Sequence, residues 1–192
     1  MKIAQQIVGV NQRLGNTAVP NMQGTTRYIY DSQPLTNNAT RQTVTLFQGA
    51  SNRLFPLSNI NNNRFEPGES LAITGISWFS RLETVSTLAD VLRPALQTAN
   101  NFTNTLSLNL FIGNQRVIKD LDLNYARFMI GESRNPGVIN SAFHLETPIV
   151  IPPQIEFYAT LTISNTSAII ADSRIYLGLF GQGTLLNTKE NY

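Results

Sequence analysis

From Ile155 to Ser164 apolar and polar residues alternate without a break, and few patterns restrict a chain so firmly. Ile155, Phe157, Ala159, Leu161 and Ile163 fall on one side; Glu156, Tyr158, Thr160, Thr162 and Ser164 fall on the other. A period of two marks a strand with one face in a core and the other in water. Pro152 and Pro153 stand before it, after the apolar run Ile149-Val150-Ile151, and neither can donate to a strand ladder. The pattern predicts two strands joined by a rigid corner.

Other stretches repeat this β signal. From Gln42 onward Val44 and Leu46 alternate with Thr43, Thr45 and Phe47. Pro67-Gly68 has turn chemistry: proline sets the first central φ and glycine accepts a positive second one. In the strand after it, Leu71 and Ile73 share one parity while Ile76 and Trp78 share the other, which predicts a β-bulge near Gly75. Leu106, Leu108, Leu110 and Ile112 alternate with polar partners up to Gly113-Asn114, a two-residue hairpin signal. A return strand through Val117 to Leu121 and Leu123 should be its antiparallel neighbour. Near the end Ile175, Leu177 and Leu179 define one more strand face. A single segment, Leu82 to Gln97, has helical spacing, with Val85, Leu88, Leu92 and Leu96 on one face and Pro94 to kink or end it. No long period repeats, which argues against a solenoid or propeller. The expected fold is all-β: about eight antiparallel strands in a two-sheet sandwich, a single jelly roll with one inserted short helix.

The first forty residues differ from this pattern. They are rich in Asn, Gln and Thr, carry Gly9, Gly15, Pro20, Gly24 and Pro34, and space Ile3, Ile7, Val10 and Leu14 as one face of a short helix. So the reading is an extended N-terminal arm at 1–40, a jelly-roll domain at 41–183 and a C-terminal tail at 184–192. Lys2, Arg13 and Arg27 precede the first acid, Asp31, and make the arm mildly positive. Their sparse spacing favours an extension that lies on protein or in solvent over one that contacts nucleic acid. Charged residues make up 14% of the chain, well below the usual quarter, with Asn, Thr, Ser and Gln at the polar positions. The net charge of +2 rests on a small excess among few charges and does not by itself argue for a nucleic-acid partner.

Candidate chemistry is sparse. The chain has no cysteine and one histidine, His144, so neither a thiolate site nor a cluster of imidazoles can form. Ser133 lies in GESRN, without the second glycine of a nucleophile elbow. Asp120, Asp122 and Asn124 begin like a calcium loop, but Tyr125 stands where that loop needs glycine; a solvated strand face is the simpler reading. Glu66 and Glu69 read as surface acids of a turn, and Gly178, Gly181 and Gly183 lack the spacing and lysine of a phosphate loop. Asn-x-Ser/Thr triplets at Asn38, Asn101 and Asn165 are what an Asn-rich chain contains by chance. The reading is a non-enzyme with no catalytic, metal or cofactor residues. Gln5 and Gln6 interrupt any apolar core of a signal peptide, and no run is long enough to span a bilayer, so a soluble protein is expected. Phe111, Tyr158 and Tyr176 sit on the polar parity of their strands. Aromatic residues on a wet face of a charge-poor chain suggest cover by a neighbouring subunit, and with Ile3, Ile7, Val10 and Leu14 they form the candidate interface.

The FEPGESLAI strand, the IPP corner leading into IEFYATLTIS, the polar N-terminal arm, the missing cysteine and the low charge resemble the single-jelly-roll structural proteins of viruses, bacteriophage capsid and virion components in particular. The resemblance spans roughly Gln42 to Gly183. It implies assembly into closed symmetric arrays with other copies and other virion proteins, arms exchanged between neighbours, in a virion put together in the host cytoplasm. The alternative is a receptor- or carbohydrate-binding fibre or spike module on the same sandwich. Its glycan would be met by loops near Asn59 to Asn63 and Arg134 to Val138 and by exposed aromatics.

Overall fold

A computed structural model describes residues 22–36, 39–49, 57–82, 105–123, 142–164 and 173–186. Eight strands follow in order: β1 (Met22–Pro34), β2 (Arg41–Leu46), β3 (Ser70–Leu82), β4 (Thr105–Ile112), β5 (Gln115–Asp122), β6 (Ala142–Ile151), β7 (Phe157–Ser164) and β8 (Ser173–Leu186). They form two four-stranded antiparallel sheets, β1-β8-β3-β6 and β2-β7-β4-β5. The pairs β1·β8, β2·β7, β3·β6 and β4·β5 are those of one long eight-stranded hairpin folded on itself, dealt alternately to the two sheets. That is a single jelly roll.

The alternation at 155–164 becomes β7 as expected. Phe157, Ala159, Leu161 and Ile163 are buried and their neighbours are half-exposed. The proline corner carries the chain from β6 in the first sheet to β7 in the second. Its amides have partners in the 63–65 segment: Gln154 N donates to Phe65 O at 2.9 Å and Phe157 N to Asn63 O at 2.7 Å. Phe157 sits between Phe47 and Phe65, ring centroids 5.5 and 5.3 Å away. Burying one such side chain contributes about 1.5–3 kcal/mol. Above Phe65, at 4.4 Å, lies the Arg27 guanidinium, which also bonds Glu69 Oε2 at 3.0 Å. Glu69 is thus half-buried and tied to β1, not a free turn acid.

The turn, bulge and hairpin signals hold. Glu69 N donates to Glu66 O at 3.0 Å, closing the turn in which Gly68 has φ 83°. The register of β3 shifts between Ile73 and Gly75, and this lets Leu71, Ile73, Ile76 and Trp78 all reach the core. Gly113, at φ 56°, and Asn114 join β4 to β5 as a two-residue hairpin.

Three expectations need correction. Met22–Pro34, expected in the arm, is an edge strand paired with β8 along its whole length. It escapes a hydrophobicity reading because Ile29 is the only Val, Ile or Leu in it; its other buried side chains, Asp31 and Ser32, are polar and hydrogen-bonded. At the other end β8 runs to Leu186, taking in Thr184, whose hydroxyl meets Ser70 Oγ at 2.6 Å and Gly68 O at 3.1 Å. The return strand through Val117 forms as β5, in which Ile118 turns inward and the pairing with β4 shifts twice. The same irregularity puts Asp120 at φ 46°, so Asp120 and Asp122 are not on the simple alternating face expected, and Asn124 lies outside the described residues. The helix expected at Leu82 to Gln97 falls at 83–97 outside the described residues, as do Ile3, Ile7, Val10 and Leu14; Leu82 itself ends β3.

Candidate interaction faces

A sandwich buries the inner faces of its sheets, so any partner must meet the outer faces, the edges or the loops. The two outer faces differ in chemistry. On the first sheet one register row crosses all four strands: Tyr28 in β1, Phe180 in β8, Gly75 in β3 and His144 in β6. A Cβ at Gly75 would stand inside the Phe180 ring, so Phe180 leans over β3, where His144 meets its edge at 5.4 Å. In the next row Gly178 leaves room for Tyr28, whose hydroxyl reaches across β8 to Ser77 Oγ at 3.1 Å. Tyr30 lies 5.8 Å from Tyr28. Burial first, then the neighbouring Tyr176 and Tyr28, hold the Tyr30 phenol above its ordinary pKa, so it stays protonated. Tyr28 keeps 43% of its surface open. Around these rows the face is aromatic, and further along β8 Arg174, on the same side, bonds Ser32 O at 3.5 Å and Ser32 Oγ at 3.3 Å.

On the second sheet the rows run Thr43-Thr162-Ser107, Thr45-Thr160-Asn109 and Tyr158-Phe111-Arg116. Thr43 and Thr162 share a hydroxyl hydrogen bond of 2.9 Å. Asn109 Oδ1 accepts from Asp120 N at 3.0 Å and from Arg116 at 3.3 Å, while its Nδ2 donates to Asp120 Oδ1 at 3.1 Å. Asn109 therefore pins the bulge in β5. Phe111 and Tyr158 stack face to face, centroids 4.6 Å apart and 7° from parallel. The second face presents hydroxyls and amides on β2, β7 and β4, with one aromatic pair at its hairpin end and the exposed Arg116–Asp120 pair, 3.8 Å apart, on β5.

Of the candidate interface residues, Phe111 and Tyr158 come together and Tyr176 does not join them. Tyr176 lies on the first sheet and is only 5% exposed. The expectation that it awaits cover from a neighbouring subunit is corrected: strand parity gives the side on which a residue lies, not what the rest of its own chain lays over it. The Tyr28–Phe180–His144 row was not singled out from the sequence, although β8 held the signal. With Ile175, Leu177 and Leu179 inward, Gly178 and Phe180 share the outer parity: Gly178 leaves the space that Tyr28 fills, and Phe180 fills the space left by Gly75. Asn59, named for the receptor loop of the alternative reading, bonds β1.

No protein-family model and no curated protein matches this sequence. Among solved structures, the major capsid protein P2 from bacteriophage PM2 is similar at a TM-score of 0.36 and 10% identity, over 90% of this chain and 48% of that one. The chain thus spans about half the length of that protein.

Proposed function

We propose that this chain is a structural protein of a virus particle, a shell or capsid-associated component that works by self-assembly through its sandwich faces and the segment preceding β1. The observation that carries the reading is the strand order, β1-β8-β3-β6 over β2-β7-β4-β5. Jelly rolls with this plan serve chiefly in viral shells, lectins and cupins. A cupin-type metal centre gathers several imidazoles, and this chain has one histidine. The neutral hydroxyl rows of the second sheet across β2, β7 and β4 support subunit contact, since they offer many hydrogen bonds at little cost in charge desolvation. Ile3, Ile7, Val10 and Leu14 would add apolar contacts from a segment that gains order on docking. The partners are copies of this chain and other virion proteins, and the place of action is the virion, assembled in the host cytoplasm.

A second reading, a carbohydrate- or receptor-binding fibre or spike module, draws support from the open Tyr28 beside Tyr30. Electron microscopy of the concentrated chain, alongside binding to immobilised neutral glycans, separates the two. Regular closed or sheet-like arrays support assembly. Isolated particles that bind a glycan, and lose it in Tyr28→Ala, support the second reading and overturn the first.

A further inference from the structure

The free edge of β1 is occupied by one residue of its own chain. Asn59 N donates to Tyr30 O at 3.2 Å, Asn59 Oδ1 accepts from Tyr30 N at 2.7 Å, and Asn59 Nδ2 donates to Tyr28 O at 2.8 Å. Backbone and side-chain amide together supply the groups a neighbouring strand would supply. Ser58 Oγ adds a bond to Tyr30 O at 3.2 Å, and Ser32 Oγ fixes the segment through Leu57 O at 2.7 Å. An edge strand of 13 residues is otherwise a template for pairing with another chain.

The other outer strands carry their own obstacles. In β6 the register passes from Ile149↔Ile73 to His144↔Gly75, a bulge that includes Pro148. The edge of β5 has two register shifts and exposed Arg116, Lys119 and Asp120. β2 is 6 residues long, and Gln33 of β1 takes up Thr45 O at 2.9 Å.

We infer that Ser58–Ile60 is a plug that closes β1 against strand addition by a second copy of this chain, so that copies meet through faces and not as one continuous sheet. The occupant it excludes follows from the strand. Tyr28 O and both polar groups of Tyr30 point to the free edge, so in this unbroken strand the even-numbered residues face outward there. Two antiparallel copies related by a two-fold axis at Ile29 would set Tyr28 against Tyr30 in outward-facing pairs, with the two rings as cross-strand neighbours. The inference does not rest on the virion role.

The test is Asn59→Ala, with mass read by light scattering at concentrations where the natural chain is monomeric. The variant should dimerise at least about tenfold more tightly, with the Tyr30 amide exchanging fast when dilute and slowly when dimeric. Adding Thr26→Pro, which removes another outward donor on the same edge, should return the protein to monomer. A core variant away from the plug, Ile163→Val in β7, serves as a control for lost stability and should stay monomeric. If Asn59→Ala keeps the natural mass, or if Ile163→Val associates as strongly, the plug is refuted. A dimer indifferent to Thr26→Pro refutes it equally.

Discussion

Tyr28 lies across Gly178: its ring fills the space of the Cβ that glycine lacks, and its hydroxyl meets Ser77 on the far side of β8. An alanine at 178 would have to displace the tip of a side chain that has solvent beside it. At Gly181 the same change would drive a Cβ into the backbone carbonyl of Ala72 in the paired strand. Gly181→Ala should therefore cost about 1–3 kcal/mol or more and Gly178→Ala clearly less, read from urea midpoints. Equal losses would contradict the packing described.

Asp31 is buried and its Oδ2 accepts from Phe47 N at 2.6 Å, at a residue whose φ of 70° is unusual for a bulky side chain. The bond turns the chain at the end of β2 so that Leu46 and Phe47 are both buried. Asp31→Ala leaves that amide without its acceptor and should cost about 1–3 kcal/mol. Asp31→Asn keeps an acceptor oxygen and should fall between, by the same midpoint measurement.

The raised pKa of Tyr30 fixes a pH dependence. The unfolded chain releases this proton first, at the ordinary phenol pKa of about 10. The stabilisation is full below that value and is lost as pH rises through the higher folded one. Urea midpoints followed from about pH 9 to about pH 11 should fall less steeply in Tyr30→Phe than in the natural chain.

Much of this fold was legible because its strands are half-buried. β4, β7 and β8 show their inner faces as alternation, the Pro67-Gly68 and Gly113-Asn114 turns need special φ values, and the parity change around Gly75 records its bulge. β1 was not legible, since it is ordered by pairing and by polar burial at Asp31 and Ser32. The faces were half legible. Phe111 and Tyr158 could be placed on one side, but that they stack on each other, and that Tyr176 is buried on the opposite sheet, depends on contacts between residues distant in sequence. The Asn59 plug left no trace beyond an Asn-rich loop.

The second-sheet face gives the account a local test. Thr162 is half-exposed and bonded to Thr43. Thr162→Lys should lower stability by about 1 kcal/mol, the worth of one such bond, while strongly reducing association by placing a charge in a neutral contact. Sedimentation beside a melting curve separates the two effects. Unchanged association would remove this face from the interface.

The most direct measurement is the absolute mass of the chain by light scattering across a concentration series, for the full sequence and for one beginning at Met22. A cut at residue 40 would take β1 with it and confuse lost assembly with lost fold. The account predicts growth to oligomers of fixed size by the full chain and weakened growth in the shortened one, at an unchanged melting midpoint. A full chain that remains monomeric at every concentration would contradict it.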